Sequence, residues 1–430
     1  MAPFPLTHKA ISPYASHATK GILSSYQEMV GVVRVLTGLI GLQGGRTVRI
    51  NRVHVYKILL PFQGDFYSAR KKSAYAENII VEVVADKWGI RGYGEGAPRQ
   101  DETGESQASA AKKATDLING TSFPWELSDV SQIRDFVDGL PEEKGYSTAI
   151  CAVEMALWDA VTKTQDRYIT EYFPGGYYAD TIHYGFTIPL AQKVSILEIC
   201  KWISDMGIKH LRIKMGEDFQ RNKKTIETVR SVCGDDCELR IDPNGVWNQH
   251  IAFQHIPLIK EHKIKVVEEP MEKDDPGLGE FAEIIRSMGV LLMACQSAPT
   301  LKDIEKLIKK GYHQMINVKL SRSGGFHRTL RIIDYLRNSG IFFQIGCNLG
   351  ESGILSAAGR ALCLLCKDAM YYDGSYDRFL LKENITADDV SFGLGGEAGP
   401  LNGPGLGVKV NSEALEHLCD ETEIVTVARE

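Results

Sequence analysis

The sequence predicts an α/β protein: a (β/α)8-type barrel with an α+β capping domain. Two patterns point to it. Eight short β-rich runs recur beyond about Thr181 at steps of roughly 24 to 28 residues, each followed by an amphipathic segment. The region ahead of them reads strands first and helices after, the habit of an α+β unit. The chain has 430 residues, room for both parts, since a barrel alone takes about 250.

Residues 1–47 form an N-terminal extension of different character. Acidic residues are absent until Glu28, and the apolar run Val30 to Leu42 is interrupted by Arg34. That run falls short of the about 20 residues needed to span a bilayer, and it lies too far from Met1 for an ordinary signal peptide. A helix packed on the body of the protein or on a second subunit is the expectation.

Residues 48–180 read as the α+β part. Val48 to Tyr56 alternates in strand fashion, and Asn78 to Ala85 is a second strand. A Gly-rich stretch, Gly89 to Gly96, follows. Glu105 to Asn119 is Ala-rich and helical, and Thr148 to Ala160 is a largely apolar helix. Residues 181–375 carry the eight runs: His183–Ile188, His210–Lys214, Glu238–Asp242, Lys265–Glu268, Val290–Ala294, Met315–Lys319, Phe342–Gly346 and Ala369–Asp373. Between them, segments such as Asn222 to Val232 space apolar residues as a surface helix does. Eight β/α units close a parallel barrel; the rival arrangement is an open doubly wound sheet. Residues 376–430 form a C-terminal tail.

Composition narrows the function. Apolar residues make up 43% and charged residues 24%, with a net charge of -6 and no long basic run. Nucleic acid is not an expected partner, because phosphate binding needs a concentrated cationic face, and no membrane partner is expected. Nine cysteines, an odd number spread along the chain, do not read as a disulfide framework. A reducing, cytoplasmic location is the expectation. Cys363 and Cys366 have redox-motif spacing but sit in an apolar run that reads as buried helix. Cys233 and Cys237 bracket a turn and lack a matching second pair for zinc.

In barrels of this kind the active site forms at the C-terminal ends of the strands. Those positions hold Lys214 (strand 2), Asp242 (strand 3), Glu268 (strand 4), Cys295 (strand 5) and Lys319 (strand 6). Strands 2 and 6 face each other across a ring of eight, so the two lysines would flank a bound substrate. Asp242 and Glu268 lie on the arc between them, placed to hold a divalent cation. These are the parts needed to remove a proton from carbon beside a carboxylate. Such a proton is weakly acidic because its loss concentrates charge on the carboxylate oxygens, which a hard cation such as Mg²⁺ offsets. A lysine acts as the base when burial and a nearby cation bring its pKa toward neutrality.

From about Val48 to Leu418 the chain resembles the muconate-lactonising (mandelate racemase/muconate cycloisomerase-like) branch of the enolase superfamily. The branch includes muconate cycloisomerases, o-succinylbenzoate synthases and dipeptide epimerases. The matching pieces are Leu211-Arg-Ile-Lys-Met-Gly216, Arg240-Ile-Asp-Pro-Asn-Gly-Val-Trp247, Val267-Glu-Glu-Pro270 and Asn317-Val-Lys-Leu-Ser-Arg-Ser-Gly-Gly325. Gly346-Cys-Asn-Leu-Gly-Glu-Ser-Gly353 and Gly403-Pro-Gly-Leu-Gly-Val408 complete the set. Pairing a lysine base with Mg²⁺ is the known pattern of that superfamily. The resemblance implies that the α+β part and the C-terminal tail together cap the barrel mouth, and that Gly94 to Pro98 and Gln100 to Glu105 supply loops touching substrate. It implies Lys214 and Lys319 as the acid/base pair and Asp242 and Glu268 as metal ligands. Arg212, Asn244, Glu351 and Asp373 are candidate substrate contacts.

Two departures stand out. The family's Lys-x-Lys at the end of strand 2 is Arg212-Ile-Lys214 here, which keeps the charge on a bulkier, permanently protonated group. Strand 5 in relatives ends in Ala-Asp-Glu-Ser, its Asp a third metal ligand; here the segment reads Ala294-Cys-Gln-Ser297. A soft sulfur in place of a hard carboxylate disfavours Mg²⁺ and suits Zn²⁺ or Fe²⁺ better. The main expectation is an enzyme of racemase, epimerase, cycloisomerase or dehydratase type acting on a small carboxylate with a divalent cation, assembled as a homo-oligomer. Its rivals are a metal-free or non-catalytic carboxylate-binding relative, and a Schiff-base lyase using the strand-6 lysine.

Overall fold

The computed structural model describes residues 47–428 apart from 68–71, 86–88, 174, 191–194 and 420–423. The expectation for the N-terminal extension falls on residues outside those described.

Strand β1 (Val48–Tyr67) runs well past the predicted end at Tyr56 and pairs antiparallel with β2 (Lys72–Ala85). The Gly-rich stretch, to which the sequence assigned no element and from which Gly94 to Pro98 was expected to supply a substrate loop, forms a third strand, β3 (Arg91–Gly96), on the other edge of β2. Of Gly94 to Pro98 it is Pro98 that lines the cavity at the barrel mouth. The glycines of β3 answer a packing demand. The helix Ser147–Thr164 lies against β3 so closely that a Cβ at Gly94 would sit 2.0 Å from the Ala152 carbonyl oxygen, and one at Gly92 would sit 2.3 Å from that of Ala156. Small residues on the facing helix (Ala149, Ala152, Ala156, Ala160) permit the approach, and that helix is buried nearly all round, as its apolar composition requires. A short β4 (Glu126–Leu127) also pairs with β1.

After β5 (Ile182–His183) come the eight barrel strands: β6 (Phe186–Ile188), β7 (His210–Lys214), β8 (Glu238–Asp242), β9 (Val266–Glu268), β10 (Leu291–Ala294), β11 (Met315–Lys319), β12 (Phe342–Gly346) and β13 (Tyr371–Tyr372). Their order in the sheet is their order in the chain, and every neighbouring pair is parallel. A doubly wound sheet would reverse its strand order partway, so the unbroken order excludes that rival. The Gly185 amide donates to the Tyr372 carbonyl at 2.8 Å, joining the first and last strands. From the tail, β14 (Glu397–Ala398) pairs with β5, and β15 (Val425–Ala428) returns to pair antiparallel with β1.

The barrel interior is not uniformly apolar. Val266, Met293, Met315 and Tyr371 form one apolar cluster. Beside it the fully buried Arg240 donates to Asp373 Oδ1 at 2.8 Å, stacks its guanidinium 4.4 Å from the Tyr371 ring and also bonds Gln344. A charge this deep persists only when paired. The nine cysteines form no disulfide; Cys363 and Cys366 are buried core, and the sulfurs of Cys233 and Cys237 donate to backbone carbonyls. Among the described residues no helix is long and apolar enough to cross a membrane.

Candidate active site

Strands β7 to β11 end at a cavity of ≈ 900 Å³ whose wall includes Arg212, Lys214, Asp242, Asn244, Glu268, Cys295 and Lys319. The candidate residues from five consecutive strand ends therefore converge on one space. Glu351 and Asp373 are not part of that wall. Glu351 accepts the Asn348 amide at 2.5 Å, and Asp373 is buried between Arg240 and Arg212.

Each charged group at the mouth has a counter-charge. Lys214 Nζ lies 2.5 Å from Asp242 Oδ2 and 3.1 Å from Asn244 Oδ1. Asp242 Oδ1 accepts the Asn244 amide at 2.9 Å. Asn244 holds a left-handed backbone, φ 55°, a conformation that for a residue other than glycine costs about 1–3 kcal/mol and is held by its surroundings. Glu268 accepts from Arg212 Nη1 at 3.0 Å and from Asn317 Nδ2 at 2.8 Å. Burial alone would raise the Glu268 pKa, but the Arg212 and Lys214 charges hold it well below the usual carboxylate range. The neighbouring Glu269, at φ 39°, turns away and organises the end of β10. Its Oε1 accepts the amides of Cys295 (2.7 Å) and Ser297 (2.8 Å) and the Ser297 hydroxyl (2.6 Å).

Two residues that the sequence did not single out complete the far side. Glu102, from the loop after β3, lies 3.0 Å from Lys319 Nζ and 3.1 Å from Arg322 Nη1. Arg322 Nη1 also donates to Cys295 Sγ at 3.3 Å. Burial pushes the Cys295 thiol up to about 12, so it keeps its proton near neutrality. Burial by itself lowers the Lys319 pKa, yet Cys295 and then Glu102 outweigh it and the net shift is upward. Glu102 in turn is held to about 2, its burial more than offset by Lys319 and Arg322. The Gln100–Glu105 segment was expected to touch substrate, but nothing in it marked position 102 apart from its neighbours Asp101 and Glu105.

The outer wall is aromatic. Phe186 and Trp202 pack at 4.9 Å between ring centroids, Trp202 and Phe379 at 5.3 Å, and Phe186 and Tyr376 at 5.7 Å, and all four line the cavity. These residues lie far apart in the chain, on β6, the helix after it and the tail, and no spacing relates them.

The parallel barrel gathers lysines and carboxylates at its strand ends, and similarity to known proteins sets it in a class of isomerase- and lyase-type enzymes. Residues 196–414, half of the chain, match the family described as enolase C-terminal domain-like, and the chain belongs to that family. It is 26% identical over 379 residues to the hydrophobic dipeptide epimerase of Enterococcus faecalis, covering 86% of this chain and 97% of that protein. It is 24% identical over 381 residues to the N-succinyl-L-Arg/Lys racemase of Bacillus cereus, covering 88% of this chain and all of the racemase. The fold matches the crystal structure of a dipeptide epimerase from Cytophaga hutchinsonii complexed with Mg and the dipeptide D-Ala-L-Val, with a TM-score of 0.74 at 23% identity over 88% of this chain and 99% of that one. The chain is an isomerase- or lyase-type enzyme of this superfamily.

Proposed function

We propose that the enzyme transfers a proton at the carbon α to a substrate carboxylate, with Lys214 and Lys319 as the acid/base pair. The observation that carries this reading is that both side chains enter one cavity from β7 and β11, strands that face each other across the ring of eight. The Cα–H bond breaks as its proton passes to a neutral lysine nitrogen, and the bonding electrons move onto the carboxylate oxygens. Return of a proton from the opposite lysine inverts the centre. Glu102 at 3.0 Å favours the protonated form of Lys319, the form that donates a proton.

The Mg²⁺ that the superfamily uses does not fit the donors present. Both oxygens of Asp242 already accept from Lys214 and Asn244, and both oxygens of Glu268 accept from Arg212 and Asn317. The third position is a thiol, a poor partner for a hard cation. Among the described residues no three His, Cys, Asp or Glu side chains gather as a metal site. The reaction is therefore derived from side chains alone.

The wall indicates the substrate class. Its aromatic face suits a bulky apolar substituent. The inner carboxylates Glu102, Glu105, Asp242 and Glu268 are each hydrogen-bonded within the protein, so a free substrate ammonium would meet carboxylates already engaged. An N-acyl amino acid or an aromatic acid fits better than a free dipeptide.

The test is α-proton exchange in D₂O, followed by NMR across N-acyl amino acids and hydroxy acids of both configurations. The natural enzyme should exchange both enantiomers of one substrate. Lys319→Ala should retain exchange of only the enantiomer whose proton faces Lys214, and Lys214→Ala the other, each losing on the order of 10³-fold on the blocked face. Exchange of both enantiomers at full rate in either variant would overturn the assignment.

A further inference from the structure

We propose that the Arg212 guanidinium is the resident cation of the barrel mouth, and that it receives the substrate carboxylate without a divalent ion. Arg212 Nη1 lies 3.0 Å from Glu268 Oε2 and 3.7 Å from Asp242 Oδ2, and Nε lies 3.3 Å from Asp373 Oδ2. One guanidinium thus stands among three carboxylates contributed by β8, β9 and the end of β13. It is buried, with the Thr187 hydroxyl accepting from Nε and Nη2 at 3.2 and 3.0 Å. Unlike a lysine, it cannot give up its charge.

The strand-5 position completes the pattern. Cys295 Sγ faces a second guanidinium, that of Arg322, where a hard cation would need an oxygen ligand. Position 295 thus holds a thiol where the resembled family carries a carboxylate, and Arg212 holds a cation that, unlike the family's lysine, cannot lose its proton.

The ion pairs agree. Arg212, Lys214, Arg240, Lys319 and Arg322 each lie against a carboxylate of Asp242, Glu268, Asp373 or Glu102, so the carboxylates a dication would need already face cations of the protein. The guanidinium's planar array of donors also matches a carboxylate in shape.

This inference rests on the proton-transfer reading only for the identity of the ligand as a carboxylate. The experiment is a Mn²⁺ titration of the full chain read by the electron paramagnetic resonance signal of free Mn²⁺, run beside binding of N-acetylphenylalanine with EDTA and with Mg²⁺. The natural protein should leave the Mn²⁺ signal undiminished, and its carboxylate affinity should differ by less than about twofold between the two buffers. Arg212→Met combined with Cys295→Asp should gain Mn²⁺ uptake. Uptake by the natural protein that Asp242→Asn abolishes would overturn the inference, as would carboxylate binding only when Mg²⁺ is present. Because the natural chain is itself the decisive sample, misfolding of the double variant does not rescue the idea. Carboxylate binding in EDTA without α-proton exchange on any substrate supports this inference and sinks the proton-transfer reading; exchange only with Mn²⁺ does the reverse.

Discussion

Glu102 and Lys319 meet at 3.0 Å, joining the loop after β3 to the end of β11. The pair is nearly closed to solvent and shares Arg322, so its charges are weakly screened. It ties the loop after β3 to a candidate catalytic lysine at the end of β11.

Glu102→Gln should therefore change two observables. Glu102 titrates at about 2 in the folded protein against 4.5 for the free group, so its contribution is present above about pH 4.5 and is lost as pH falls toward 2. That shift corresponds to roughly 3 kcal/mol at neutral pH. Denaturant unfolding of the variant should show about that loss at pH 7 and a flatter acid limb. The basic limb of its pH–rate profile should also move to lower pH, because the carboxylate that favours the Lys319 ammonium is gone. An unmoved basic limb would separate Lys319 from the rate.

Trp202→Ala opens the aromatic wall where Phe186 and Phe379 meet it. Removing a buried aromatic contact weakens binding of an apolar group by on the order of 2 kcal/mol, or about 30-fold. The expected result is that kcat/KM falls by about that factor for substrates with a large apolar substituent and by less than about threefold for the smallest ones. A uniform loss across the series would place Trp202 in the scaffold and not in substrate selection.

Much of the architecture was legible because barrel strands are short apolar runs, several of them ended by charge. His210–Lys214, Glu238–Asp242, Met315–Lys319 and Phe342–Gly346 have the predicted bounds, and the residues ending β7 to β11 do line one cavity. Three things were not legible, each for a physical reason. β3 was hidden because Gly92, Gly94 and Gly96 lower strand propensity, and the helix that demands them lies more than fifty residues on. Glu102 was hidden because pairing with Lys319 depends on how a loop crosses between the antiparallel sheet and the barrel. Asp373 ends its strand as a substrate contact would, yet Arg240, a lumen residue from across the barrel, takes one face of it and Arg212 another.

The glycines of β3 give a stability test away from the chemistry. A Cβ at Gly94 would meet the Ala152 carbonyl oxygen at 2.0 Å and the Ala156 amide at 2.6 Å, both backbone atoms that cannot rotate aside. Gly94→Ala should cost roughly 3 kcal/mol or more through displacement of the helix Ser147–Thr164. Gly175→Ala, where a Cβ meets nothing within 4 Å, is the matched control and should change stability by less than about 0.5 kcal/mol. Thermal unfolding of the two variants checks the contrast.

Glu154 supplies a pH dependence of the opposite sign to that of Glu102. It is fully buried in the helix Ser147–Thr164, where Oε1 accepts the His327 amide at 2.9 Å and the Trp158 indole at 3.2 Å. The His327 amide lies in the first turn of the helix Phe326–Asn338, so the side chain fastens the helix Ser147–Thr164 to the barrel's outer layer. Burial raises its pKa to about 7 despite these donors. The folded state therefore holds a proton that the unfolded state releases near 4.5. Its stabilising effect is complete below about pH 4.5 and declines as pH rises to about 7, by on the order of 3 kcal/mol. Glu154→Gln keeps the hydrogen-bond acceptor and removes the titration, so its stability should change less between pH 5 and pH 8 than that of the natural protein. Denaturant melts of both proteins across that range decide it, and parallel curves would mean that Glu154 does not titrate there.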